Sequence, residues 1–436
     1  MGGATHRFAA SVAYEPSSPE RASTGGQCGR WTGCRVQSQI DKDVYVKPAP
    51  GQDARDPKTG EVLIYKLLKS LYGLAQSPFL WNDTIDGALV VIGFLPTQSD
   101  PCVYIHGRGR TLVILTLYVD DILITGEDPE VVEQKRKELQ DRFEMTDMGE
   151  VKLILGMEVG RNYDEGTLSI TQENYVKSIL ERFGMQDSNP ALTPGYGPEL
   201  SVEQPEDKLL GAEATKTYQS ITGSLLYLAQ CTGYDICYAV NQLTRACSKL
   251  AQVHMTAAKH VLRCLRGNPD LPIVYKRGQF QPEGYTDASF GADPDNRKST
   301  TGDLFFLGAG LVSFGSKKQS LTAQSTVESE LQALSYGAKE AVYISNFLLE
   351  LGNKTFNSVL INSDSTGALA VAGNAMFSSR TKHVAVRFFY IRELIKRNKI
   401  RIRHKKSQAM LADVATKHLS RQQFSSILKQ IKEFSY

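Results

Sequence analysis

With 436 residues, 41% hydrophobic and 22% charged, the chain has the composition of an ordinary soluble globular protein with room for two to four domains. Its net charge of +3 is too small to indicate a polyanion partner by itself, and its seven cysteines lack the paired spacing of a zinc site or a disulfide frame, which points to a reducing compartment. No apolar stretch approaches the ~20 residues needed to span a bilayer and the N-terminus has no apolar signal region, so an intracellular protein without a membrane partner is expected.

Residues 1–36 are rich in Gly, Ser, Pro and Arg, lack sustained periodicity and read as irregular. From Val44 to Leu155 short β-like runs alternate with amphipathic segments, an α/β pattern. Within it stands LYVDDILI, Leu117 to Ile124, where Asp120 and Asp121 interrupt an apolar run. Burying an unpaired carboxylate costs on the order of several kcal/mol, so this charge must be offset. Thr111–Leu117 and Ile122–Thr125 read as two strands with Tyr118–Asp121 at the bend of a hairpin. Such a bend can aim acidic oxygens at a hard cation such as Mg²⁺; a solvated acidic turn is the alternative. Asp128 to Phe143 reads as a helix, and Leu153–Val159 with Thr167–Thr171 as a further strand pair.

Asn189–Glu199 carries three prolines and two glycines and reads as a linker. A helical block follows and closes at Gly267, and strands resume near Gly278. EGYTDASFG puts Asp287 at the end of a first strand, and GDLFFLGAGLVSFGSKK continues as a β-meander. A long helix runs from a cap at Ser325 or Thr326 to Gly352, with Val327, Leu331, Leu334 and Ala338 as its apolar stripe. SVLINSDS is a strand delivering Asp364 at its tip. VAVRFFYIRELIKRN is a basic helix, KIRIRHKK a strand, and MLADVATKHL a final helix carrying Asp413. Acids on separate elements, each at a strand end or on a helix that could face those ends, suggest a pocket for two divalent ions. One would activate water and the other would stabilise the leaving oxygen of a phosphodiester. From Arg380 to Lys406 basic residues dominate, a local polyanion footprint whose plain alternative is a solvated helix face.

The ordered series DVYVKPAPG, KSLYGLAQSPFLWN, DPCVYI, LYVDDILITG, LGMEV, SLLYLAQ, YAVNQLTRACSK, AAKHVLRCLRG, YTDASFG, STVESELQALS, NSDSTGALA, TKHVAVRFFYIREL and HKKSQAMLADVATKHLS resembles the Pol polyprotein of copia-type LTR retrotransposons. The resemblance runs from within reverse transcriptase through ribonuclease H, over roughly Gln37 to Leu419. It implies an α/β (α+β) fold with a partial palm and thumb, a helical connection, and a ribonuclease-H-like domain with a mixed five-stranded sheet. The implied division is an irregular segment 1–36 unrelated to the family, reverse transcriptase 37–188 lacking fingers and first palm motif, linker and helical connection 189–277, ribonuclease H 278–422 and a tail helix 423–436. The implied activities are RNA-directed DNA synthesis and Mg²⁺-dependent cleavage of RNA in RNA–DNA hybrids, with Mn²⁺ as a substitute. The implied partners are hybrid, template-primer, dNTP, and a second copy or other retroelement proteins, in a cytoplasmic virus-like particle or the nucleus.

By this resemblance Asp120 and Asp121 match the palm carboxylates, with Tyr118 near the primer end, Gln76 near the incoming nucleotide or template, and Gly73 giving the backbone room to approach. Asp287, Glu330, Asp364 and Asp413 match the ribonuclease H tetrad, expected to hold two Mg²⁺ ions. His404, nine residues before Asp413, matches a histidine thought to help product release. Arg387, Arg392 and Lys396, within the basic run, are expected to follow the phosphate backbone. Glu328 also competes for the helix position. Two steps along a helix turn by about 200°, so both acids cannot reach one pocket, and the family pattern ELQAL selects Glu330.

One departure matters. The family's third palm carboxylate falls seven residues before Gln37, where this chain has Arg30. Without that ligand, DNA synthesis is expected to be absent or very weak, whereas the ribonuclease H set is complete by residue type. A catalytically silent nucleic-acid-binding remnant is the alternative reading.

Overall fold

The structure is a computed structural model that describes residues 29–32, 38–48, 55–56, 58–71, 73–277, 281–308, 310–353, 356–373 and 385–434, the stretches 29–32 and 385–387 by their backbone. They fall into two compact units, one within Ser18–Val151 and one within Lys152–Tyr436. No helix among the described residues is long and apolar enough to cross a membrane.

In the first unit the described elements are β1 (Gly29–Thr32), β2 (Tyr45–Val46), β3 (Tyr65–Lys66), α1 (Ser77–Val91), β4 (Leu95–Pro96), β5 (Val103–His106), β6 (Val113–Tyr118), β7 (Asp121–Gly126), α2 (Pro129–Gln140) and β8 (Thr146–Glu150). A six-stranded sheet runs in the order β4-β5-β6-β7-β1-β8, with every neighbouring pair antiparallel. Helix α1 buries Trp81, Ile85 and Leu89, spaced four apart on one face, and α2 adds Val132 and Leu139. These pack on Leu115, Leu117, Ile122 and Ile124 of the sheet, and Phe143 closes the cluster edge-on to Trp81 at 5.5 Å. Asp128 starts α2 by accepting from the backbone N–H of Glu130 at 3.0 Å, and Pro129 follows in the first turn.

The irregular reading of residues 1–36 needs correction at Gly29–Thr32. That stretch forms β1, paired on both sides, with Arg30 opposite Leu123 and Trp31 opposite Ile122. Pairing with Ile122, Leu123 and Ile124 of β7 on one side and with β8 on the other imposes extension on a sequence with no strand periodicity of its own. The other residues of 1–36 lie outside the described ones.

The second unit opens with β9 (Leu153–Ile154), β10 (Met157–Asn162) and β11 (Thr167–Thr171), followed by α3 (Glu173–Arg182). Helices α4 (Ala212–Cys231), α5 (Cys237–Thr244) and α6 (Gln252–Gly267) form the helical block. The chain then returns as β12 (Ile273–Lys276), which pairs with β11 in a four-stranded antiparallel sheet, order β12-β11-β10-β9. β12 is too short to announce itself in the sequence; its pairing with β11 creates it.

The last elements are β13 (Pro282–Ser289), β14 (Thr300–Leu307), β15 (Gly310–Lys318), α7 (Thr326–Glu350), β16 (Val359–Ser363), α8 (Thr366–Gly373), α9 (Ala385–Lys396), β17 (Ile400–His404) and α10 (Arg421–Phe434). They build the mixed five-stranded sheet the sequence implies, in the order β15-β14-β13-β16-β17. The first three strands are an antiparallel meander, whereas β16 and β17 run parallel to β13. Helix α7 approaches β13 closely because Gly337 has no side chain there; a Cβ would stand 2.3 Å from Thr286 Cγ2. Phe434 of α10 stacks on Phe306 with ring centroids 4.6 Å apart. The final helix expected at MLADVATKHL is instead a 3₁₀ turn, Leu411–Ala415, and the α-helical hydrophobic pattern begins only with α10.

Candidate metal centre

Strands β13 and β16 are adjacent and parallel, and the strand order reverses between them. At such a point the carboxyl ends of two strands open a crevice. Asp287 lies near the end of β13, and Asp364 follows the last residue of β16. Glu330 comes from the second turn of α7. One carboxylate oxygen from each lies within 4.8 Å of the others. Asp287 is 2% exposed and Glu330 8% exposed, so the cluster has a buried floor and opens at Asp364.

Glu328 and Glu330 differ in what each touches. Ser325 caps α7 by accepting from the backbone N–H of Glu328 at 3.2 Å, and the Glu328 carboxylate accepts from the backbone N–H of Gln324 at 2.7 Å. The Glu328 carboxylate is thus engaged with the backbone just before its own helix. The Oε2 atom of Glu330 is buried with no hydrogen-bond partner. Burial, then the charges of Asp287 and Asp364, push the Glu330 carboxyl up to about 9.

Asp413 lies beside Asp287 but outside that mutually close set of three. The 3₁₀ turn carrying it docks on Gly302, where a Cβ would lie 2.6 Å from Thr416 Cγ2 and 2.9 Å from the Ala412 carbonyl oxygen. That contact brings two residues the sequence reading did not single out against Asp287. Thr416 Oγ1 donates to Asp287 Oδ2 at 2.6 Å. Lys417 Nζ lies 2.8 Å from Asp413 Oδ1 and 3.6 Å from Asp287 Oδ2. Burial and the neighbouring Asp287 push the Asp413 carboxyl up to about 7. Burial acts to lower the Lys417 ammonium, but Asp287 and Asp413 outweigh it and hold its value up. The signal for Lys417 was its position four residues after Asp413, within side-chain reach across a helical turn.

Three carboxylates converging on one point, one of them with an unpartnered buried oxygen, form a hard-oxygen donor set suited to a divalent cation such as Mg²⁺ or Mn²⁺. Beside them, Ser407 Oγ donates to Asp364 Oδ2 at 2.6 Å. His404 is exposed at the end of β17, paired with Ser363. The Arg392 guanidinium lies 3.7 Å over the Phe388 ring and donates to the Val371 carbonyl at 3.4 Å, so it faces inward. Lys396 is exposed at the end of α9, and the side chain of Arg387 lies outside the described residues.

In the other unit the LYVDDILI bend is a two-residue turn. Tyr118 pairs with Asp121, and Val119 and Asp120 form the connection. Val119 holds φ at +61°, a conformation that crowds a β-branched side chain. Asp120 and Asp121 are half-buried and Tyr118 is 40% exposed. Gln76 stands at the start of α1 and accepts from the Leu80 N–H at 3.0 Å, and Gly73 has φ +96°. Among the described residues no third metal-ligating side chain joins Asp120 and Asp121. Arg30 sits opposite Leu123, two residues beyond Asp121.

Comparison with known proteins gives a match of residues 33–196 to the family model described as reverse transcriptase (RNA-dependent DNA polymerase). The chain is 34% identical over 395 residues to the retrovirus-related Pol polyprotein from transposon TNT 1-94 of Nicotiana tabacum, covering 89% of this chain and 29% of that protein. It is 34% identical over 400 residues to the retrovirus-related Pol polyprotein from transposon RE1 of Arabidopsis thaliana, covering 91% of this chain and 26% of that one. The chain thus spans less than a third of the length of these curated relatives. Among solved structures, RNase H1 from the halophilic archaeon Halobacterium salinarum aligns over 31% of this chain and 94% of its own, with 17% identity and a TM-score of 0.25.

Proposed function

Because the chain belongs to the Pol polyproteins of copia-type retrotransposons, as a stretch of reverse transcriptase and ribonuclease H, we propose that its second unit hydrolyses the RNA strand of RNA–DNA hybrids with divalent cations. The observation that carries this reading is the convergence of Asp287, Glu330 and Asp364 within 4.8 Å at the sheet's switch point. Cations bound there supply a water of lowered pKa and offset charge on the phosphodiester as the leaving oxygen departs.

The residues divide the task by position. Asp287 anchors the floor, oriented by Thr416, and Asp364 at the open edge is oriented by Ser407. Glu330 Oε2 accepts a hydrogen bond from the attacking water and aims it at the phosphorus, next to the 2′-hydroxyl that distinguishes RNA. Asp413 completes the ligand set, and the products are a 3′-hydroxyl and a 5′-phosphate. His404, exposed opposite Ser363, assists product release in this reading, and Lys396, Arg401 and Lys406 offer exposed charge to the phosphate backbone. Asp120 and Asp121, with Tyr118, Gln76 and Gly73, are a palm site with its third carboxylate missing among the described residues, which favours little or no DNA synthesis on template-primer and dNTP.

The test is cleavage of a labelled RNA–DNA hybrid by the full chain in Mg²⁺ or Mn²⁺, with Asp364→Asn as control. Hybrid cleavage that the substitution abolishes is the expected result. Equal cleavage by both proteins, or cleavage of duplex DNA in preference to hybrid, would overturn the assignment, and no cleavage by either would favour a silent nucleic-acid-binding remnant.

A further inference from the structure

Four acids were expected to share one pocket, yet only three have ligand atoms within 4.8 Å of one another, and the fourth, Asp413, is paired with an ammonium. Lys417 Nζ bridges Asp413 Oδ1 at 2.8 Å and Asp287 Oδ2 at 3.6 Å, where a cation shared by those two acids would lie. Accepting the ribonuclease reading, we propose that Lys417 is a built-in counter-cation that limits the free protein to one tightly held divalent ion, at Asp287, Glu330 and Asp364, and that it must swing away before Asp287 and Asp413 can share a second.

Two features fit an ammonium that moves. Lys417 is on the open side, its side chain 41% exposed, whereas the Asp287 side chain beneath it is 3% exposed. Its flexible stem carries a compact charge with three donors, able to leave a carboxylate for another anionic oxygen nearby. A substrate phosphate entering at Asp364 presents such oxygens. Transfer of the ammonium from Asp413 to the phosphate would free two carboxylates as the scissile group arrives, so substrate and second-ion binding would favour each other. The 3₁₀ turn seated on Gly302 keeps Asp413 in place, so the side chain can move without the backbone.

The test is calorimetric titration of the metal-depleted full chain with Mn²⁺, comparing the unaltered protein with Lys417→Met and Lys417→Arg, each checked for an unchanged thermal transition. One equivalent is expected for the unaltered protein and for Lys417→Arg. Lys417→Met, which keeps the stem and removes the charge, should take a second equivalent at least about tenfold more tightly. Two equally tight equivalents in the unaltered protein, or one equivalent in Lys417→Met, would overturn the proposal while leaving the nuclease reading intact. No Mn²⁺ binding by any of the three would overturn both.

Discussion

Trp81 and Val119 are joined by a 2.5 Å hydrogen bond from the indole Nε1 to the carbonyl oxygen, which ties helix α1 to the turn that presents Asp120. The bond crosses 38 residues and holds a β-branched residue at φ +61°. Strain of this kind costs on the order of 1–3 kcal/mol and persists where surrounding contacts over-determine it. Trp81→Phe should destabilise the first unit by about 1–2 kcal/mol through loss of the bond, and Val119→Gly should stabilise it by up to about 1 kcal/mol. Urea unfolding with hydrogen exchange of the hairpin amides checks both, and a destabilising Val119→Gly would show the turn to be unstrained.

Primer extension on a poly-purine template is expected to stay at the no-enzyme level in Mg²⁺ or Mn²⁺, and Asp120→Asn should be indistinguishable from the unaltered chain. Two acids on one hairpin leave the transferring phosphoryl group without several kcal/mol, in rough terms, of electrostatic stabilisation. Extension that Asp120→Asn removes would reveal a third ligand.

Without metal, stability should fall with rising pH. The folded pKa of Glu330, about 9, and of Asp413, about 7, exceed their ordinary values of 4.5 and 3.8. Their contribution is therefore fully present below those ordinary values and lost as pH rises through the folded ones, by at most about 1.4 kcal/mol per pH unit for each group. Thermal melts in EDTA should show Tm falling from pH 5 to pH 8, with added Mg²⁺ recovering most at the higher pH. A flat profile in EDTA would mean the acids do not repel one another.

Glu328→Gln and Glu330→Gln should separate cleanly. The first weakens the helix cap, at a cost of up to about 1 kcal/mol, and leaves Mn²⁺ binding unchanged. The second should raise metal-free stability at pH 8 and weaken Mn²⁺ binding by at least about tenfold, read by calorimetry.

Asp303 is 3% exposed, with Oδ1 buried and unpartnered, beside a cavity of about 670 Å³ lined in part by Phe314, Tyr336 and Tyr343. Burial, then the charge of Glu340, pushes its carboxyl well above the usual range. Asp303→Leu keeps the branching and removes the polar group, so a gain of about 1–3 kcal/mol is expected. The gain should grow as pH rises, because the folded-state proton of Asp303 is then increasingly costly to keep. A lower Tm for the variant at pH 8 would mean that the carboxylate has a compensating partner.

Much of this protein was legible in one dimension. The periodicity of 326–350, the helix start near Asp128, the cap at Ser325 and the turn at 118–121 are local events, decided by neighbours within a few residues, and the structure keeps them. The resemblance also named the acids. Strands β1 and β12 escaped notice because a two- to four-residue strand owes its extension to the ladder beside it, and a ladder partner leaves no mark in the strand's own sequence.

Which acids meet was decided in space. Glu328 and Glu330 differ by two positions in sequence, but one satisfies a helix end and the other points a bare oxygen into a buried cluster. Asp413 was read as an equal fourth member, yet a turn resting on Gly302 brings Lys417 over it. Local propensity acts through bonds a few residues apart. The electrostatics of a site depend on distances of 3–5 Å between groups a hundred residues apart, and only the folded chain sets those.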